Sequence, residues 1–128
     1  MMLYRMSQEP LQSFVASCAQ LASVLEEKYT VTTRDSAIKR FEMTVELAWK
    51  TLQKKLAEEG VVCRSPRGCF EEAFKLDIVQ DDPVWLDMLD TRNLTVHTYD
   101  EKCAKKVYKK LRKYEKALRM LAMRIDGR

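Results

Sequence analysis

A chain of 128 residues is long enough for one domain with a real core and too short for two. With 46% hydrophobic and 33% charged residues, and only three glycines and three prolines, the composition is that of an ordinary globular protein and favours long regular elements over turn-rich β architecture. The net charge of +4 is modest, no apolar run approaches the roughly 18–20 residues needed to span a bilayer, and Met1-Met2-Leu3-Tyr4-Arg5-Met6 lacks the apolar stretch and cleavage site of a signal peptide, so a cytoplasmic protein with no membrane contact is expected.

Five helices can be read in chain order from hydrophobic periodicity. The first, about Glu9 to Glu27, carries Leu11, Phe14, Cys18, Leu21 and Leu25 in steps of three and four, with Ser7 as its cap and Pro10 in the opening turn. The second, about Asp35 to Glu58, places Ile38, Phe41, Val45, Ala48, Leu52 and Leu56 on one stripe and is stopped by Gly60. A short third helix opens with Ser65 as N-cap and Pro66 as its first residue, leading to Phe70, Ala73 and Phe74. The fourth repeats this cap-then-proline grammar with Asp82-Pro83 and presents Trp85, Leu86, Met88 and Leu89. The fifth, about Glu101 to Ile125, has Val107, Leu111, Tyr114, Leu118, Leu121 and Ile125 in alternating steps of four and three, the seam of helices packed at small crossing angles. Val61-Val62-Cys63 is too short to found a sheet. The expectation is an all-α, antiparallel four- to five-helix bundle, a single domain over residues 1–128 with its core at about 9–125.

Cys18, Cys63, Cys69 and Cys103 show no Cys-x-x-Cys spacing. Four free thiols, most packed as small apolar groups, are expected, with neither zinc nor a disulfide framework. From Lys102 to Arg124 there are ten Lys or Arg residues and one acid, Glu115. Such a face suits phosphate backbones or an acidic partner protein, and a solvated helix surface accounts for it equally well.

The chemistry-bearing stretch is Arg92-Asn93-Leu94-Thr95-Val96-His97-Thr98-Tyr99, which holds the only histidine. Arg92 falls in the apolar phase set by Trp85 and Leu89, where a guanidinium needs an anion. Glu42 or Glu46 on the second helix could supply it as a structural bridge, or a ligand phosphate could, since the planar fork suits two phosphate contacts. On an unbroken helix Tyr99 shares the Arg92 face, whereas His97 points about 140° away. Thr95-Val96-His97-Thr98 is β-branched at three of four positions, which predicts that the helix ends or distorts there and swings His97 toward Arg92; two protomers about a twofold axis would be another way to unite them. An imidazole that exchanges protons at a 2′-hydroxyl or a leaving oxygen, with a guanidinium on the phosphate, would cleave RNA without metal. No Gly-rich phosphate loop and no Asp-x-Asp pair occur, and neither metal nor cofactor is expected.

Three stretches carry a family resemblance: Arg40-Phe41-Glu42 with Glu46-Leu47-Ala48-Trp49-Lys50; Ser65-Pro66-Arg67; and the block from Trp85 through Met88-Leu89 and Arg92-Asn93 to His97-Thr98-Tyr99-Asp100-Glu101. Across about residues 10 to 125 the chain resembles the nucleotidyltransferase substrate-binding family, a branch of the HEPN superfamily of helical bundles. The resemblance implies a homodimer, encoded beside a minimal nucleotidyltransferase and associating with it. It implies a ribonuclease site of Arg92 and His97 across the dimer interface, with Asn93 at a polar position of the same motif. In the toxin–antitoxin branch the partner adds AMP to a Tyr two residues after the His, the place of Tyr99. The branch name implies the alternative of a non-catalytic subunit that binds a nucleotide or other substrate for the partner, with Arg92 as phosphate clamp, His97 as hydrogen-bond donor, and Glu42 and Glu46 in support.

Overall fold

The three-and-four spacing of apolar residues folds into α1 (Met2–Glu26), α2 (Val31–Glu58), α3 (Pro66–Lys75), α4 (Asp82–Leu94) and α5 (Glu101–Asp126), with a 3-10 turn at Thr95–His97 between α4 and α5. The structure, a computed structural model, describes the backbone of residues 2–80 and 82–127 and the side chains of 10–80 and 83–127; no strand occurs among them.

Local chemistry sets most of the boundaries. Ser65 accepts the Gly68 amide at 3.0 Å and Pro66 opens α3, as the cap-then-proline pattern predicts. Gly60, at φ 79°, ends α2: its amide reaches the Ala57 carbonyl and that of Val61 reaches Leu56, closing the last turn. Asp100 caps α5 by accepting the Lys102 amide at 3.1 Å, and Gly127 closes the helix at φ 80°. Two starts differ from the sequence expectation. Helix α2 begins at Val31, before Asp35, because Thr30 and Thr33 form a reciprocal cap in which each side chain accepts the other's amide. Helix α1 begins at Met2, so Ser7 is interior to it and Pro10 lies inside rather than in the opening turn. Asp82, the expected cap of the fourth helix, is itself the first residue of α4, and its side chain lies outside the described residues.

Cross-helix contacts fix the directions. Ser17 meets Thr44 and Gln20 meets Arg40, so α1 and α2 run antiparallel. Phe41 stacks on Tyr114, and Arg34 at the start of α2 bonds Glu101 at the start of α5, so α2 and α5 run together. Asp87 and Thr91 of α4 meet Tyr114, and Leu94 meets Cys103, which sets α4 against α5. An up–down–up–down bundle results, with the short α3 packed beside α2 and α4. Its core joins Phe14, Leu21, Phe41, Leu52, Met88, Leu111 and Leu118, and the α5 seam is buried from Val107 through Leu121. The one phenol in that seam is satisfied: Tyr114 donates to the Asp87 carboxylate and contacts Thr91 Oγ1 at 2.8 Å. Burial, then the hydrogen bond to the Asp87 carboxylate, raise the Tyr114 hydroxyl well above its ordinary value, so it stays a donor.

The cysteines depart from the expectation of four free thiols. Cys63 and Cys69 form a disulfide, because the Ser65-Pro66 turn reverses the chain and leaves their Cα atoms 5.1 Å apart, within bridging range. Six-residue spacing reads as no motif until the turn between the two sulfurs is known. The bridge joins Leu56 in a small second cluster against Trp49 and Val61. Cys18 and Cys103 are free. Burial pushes the Cys18 thiol up to about 12, and it serves as packing.

Candidate functional site

The β-branched run after Arg92 does end the helix. Helix α4 stops at Leu94 and the chain tightens into the 3-10 turn at Thr95–His97. Side-chain hydroxyls hold the turn by borrowing backbone carbonyls: Thr95 donates to the Arg92 carbonyl at 2.7 Å and Thr98 to that of Thr95 at 2.9 Å. The Asp100 amide then donates to the His97 carbonyl at 3.0 Å. The far end is fastened by Arg34, whose guanidinium makes two bonds to the Glu101 carboxylate, at 2.9 and 3.0 Å, and one to Asp35. On this pinned turn His97 and Tyr99 face solvent, Tyr99 being 82% exposed, with ring centroids 6.1 Å apart and edge to face.

Arg92, one turn earlier, is half-buried in the wall of a cleft of about 480 Å³ between α2, the start of α3 and α4. The cleft is lined by Glu46 and Trp49 from α2, Ser65 and Arg67 from the α3 start, and Asp90 and Asn93 from α4. Glu46 does not bridge to Arg92. Its carboxylate accepts the Trp49 indole N–H at 3.1 Å and lies 3.5 Å from the Lys50 ammonium. Arg67 reaches across to Asp90 at 3.4 Å. Among the described residues the Arg92 guanidinium has neither an ion pair nor a hydrogen bond. A half-buried cation without a protein anion, beside a hydroxyl, an amide and a second guanidinium, is equipped to hold a phosphate or carboxylate.

The sequence-selected residues thus fall into two groups. Arg92, Asn93 and Glu46 share the cleft. His97 and Tyr99 sit together on the turn and do not line that cleft, so within one chain the 3-10 geometry leaves the imidazole outside the Arg92 pocket. Glu42 is half-buried on α2 and is not a cleft residue. Trp49, Ser65 and Arg67 enter the wall without having been singled out for chemistry; the signal for two of them was the helix-start pattern Ser65-Pro66-Arg67, which puts a hydroxyl and a guanidinium at one helix N-terminus. Arg34 was missed because its partner is 67 positions away.

Comparison with known proteins identifies the family and the fold. Residues 9–126 match the family described as nucleotidyltransferase substrate binding protein like. A curated relative in Haemophilus influenzae, named probable ribonuclease HepT, is 30% identical over 77 residues, covering 56% of this chain and 53% of that protein, so the match spans about half of the relative's length. A crystal structure of a protein from Thermus thermophilus superposes with a TM-score of 0.78 at 35% identity, covering 88% of this chain and 94% of the other. Among the described residues no helix is long and apolar enough to cross a membrane. With the family match running through nearly every helix and all three sequence blocks, the chain belongs to the nucleotidyltransferase substrate-binding protein family.

Proposed function

We propose that this chain is the RNA-cleaving, toxin-type member of a two-component pair with a nucleotidyltransferase, and that it works as a homodimer. The carrying observation is an Arg92 guanidinium left without a carboxylate partner, one turn before an imidazole and a phenol that stand open to solvent. A second copy about a twofold axis supplies the imidazole that the cleft of a single chain lacks. In the reaction the 2′-hydroxyl of RNA attacks the adjoining phosphorus and the 5′-oxygen departs. His97 exchanges the proton at one of these oxygens, and Arg92 stabilises charge gathering on the phosphate. The partner silences the site by adenylylation: the Tyr99 phenol attacks the α-phosphorus of ATP, pyrophosphate leaves, and an AMP group then stands beside the His97 ring.

Purified protein should cleave single-stranded RNA without added metal, and His97→Ala and Arg92→Ala should each lower the rate by about 100-fold or more with the helical circular dichroism unchanged. Equal cleavage by wild type and His97→Ala would sink the nuclease reading. Co-expression with the partner should add the mass of AMP at Tyr99.

The composition of the cleft favours a second reading, a non-catalytic subunit that holds a nucleotide for the partner. Arg92, Arg67 and Ser65 would take the phosphates, and the half-buried Trp49 would border the base. RNA left intact by a protein that binds ATP, with binding weakened in Arg92→Ala, would select this reading.

A further inference from the structure

A second, larger opening of about 1210 Å³ lies between the α3–α4 connection, α4 and the C-terminal half of α5. Its floor is apolar: Ile78, Val79, Val84 and Trp85 on one side, Met120 and Met123 on the other. The two methionines are 56% and 47% exposed, an expensive place for apolar side chains unless something covers them. The rim is cationic, with Lys110, Lys113 and Lys116 in three-residue steps along α5 and Arg124 beyond them. Asp87 is the one acid lining the opening among the described residues; its carboxylate is already taken by the Tyr114 hydroxyl and flanked by Lys110 and Lys113, each at 3.7 Å. Arg124 has only a 3.9 Å contact to the exposed Asp77, and Lys116 has no ion pair among the described residues.

We propose that this groove receives an acidic amphipathic helix of a partner protein, apolar face on the Met120–Met123 floor and Asp or Glu side chains on the lysine row. The charge pattern selects this occupant. A nucleic acid would find the phosphate partners but no free aromatic face for its bases, since Trp85 is buried and already stacked on Phe70 at 4.9 Å. A bilayer is too flat to fill a concave opening. A second copy pairing groove to groove would set lysine row against lysine row. Length fits as well: Lys110 to Arg124 spans about 21 Å of α5, matched by about four turns of a docked helix. Methionine side chains adapt to such a partner, as they do on other helix-receiving surfaces. The groove shares no lining residue with the Arg92 cleft, so this docking stands whether or not that cleft cuts RNA.

The test uses the full chain and a labelled synthetic peptide of about 16 residues, with leucines along one helical face and glutamates flanking them. Wild type should bind it, and should not bind a scrambled peptide of the same composition. Lys113→Glu with Lys116→Glu, both at exposed positions, should keep the native circular dichroism, weaken binding by about tenfold or more, and gain affinity for the lysine-flanked version of the peptide. No binding by wild type, equal affinity of the double variant, or equal binding of the scrambled peptide would overturn the proposal. So would displacement of the patterned peptide by single-stranded RNA or by anionic vesicles, or self-association of the chain that the same two substitutions abolish.

Discussion

Arg34 is 2% exposed, and each nitrogen of its guanidinium donates a hydrogen bond to Glu101 or Asp35. The pairing explains how so polar a group survives at the packed junction of α2 and α5: the fork meets a carboxylate with two parallel bonds, a geometry lysine cannot copy. Arg34→Lys should therefore lower the melting temperature by several degrees even though the charge is kept. The Arg34 bonds also hold the Glu101 carboxyl below its ordinary value of 4.5. A carboxylate with a depressed value in the folded state stabilises the fold at pH above the ordinary value, and that contribution drains away as the pH falls through the lowered one. Glu101→Gln should melt below wild type at neutral pH, and the gap should close on acidification. A gap that stays constant to low pH, read by thermal melts across a pH series, would show that Arg34 draws nothing from the ionised carboxylate. Because Glu101 directly follows the His97–Asp100 stretch, Arg34 also positions the turn on which the proposed chemistry depends.

At the scale of elements, the start of α3 matters most. The loop from Cys63 to Cys69 is closed by the disulfide and carries Ser65, Pro66 and Arg67 into the cleft wall. Closing so short a loop restricts the unfolded chain, a stabilisation of about 2 kcal/mol on the chain-entropy estimate. Cys63→Ser with Cys69→Ser, or reduction by dithiothreitol, should lower the urea unfolding free energy by about that amount while the helix content persists. An unchanged midpoint would mean that the turn is held by its Ser65 cap alone. The elements themselves were largely legible. The α5 seam and the Ser65-Pro66 start are local patterns whose physics is contained within a few residues, and they fold as the spacing predicts. The start of α2 was not legible, because Val31-Thr32-Thr33 reads as β-branched and the Thr30–Thr33 cap replaces the usual Glu with a second Thr. The disulfide and the Arg34–Glu101 pair are settled by tertiary approach, which spacing does not encode. The same limit applies to Arg92: its phase foretold a half-buried guanidinium, whereas the loss of Glu46 to Trp49 and Lys50 depends on rotamers.

At the scale of the whole molecule, the cleft holding Arg92 and the turn bearing His97 are two separate places on one bundle. If the nuclease site joins the arginine of one protomer to the histidine of the other, the two defects should complement each other. A mixed dimer of Arg92→Ala and His97→Ala chains has one intact site and one doubly broken site. Random mixing makes half the dimers mixed, so cleavage should return to about a quarter of wild type. Mixtures as dead as either parent would place both groups within a single chain. The two openings of the bundle also differ in how they can be watched. The chain has two tryptophans, and each wall holds one: Trp49 in the smaller cleft, Trp85 in the larger groove. Intrinsic emission from this protein is therefore already divided by location, and replacing either indole with phenylalanine leaves a single lamp in one chamber, lit without any attached dye.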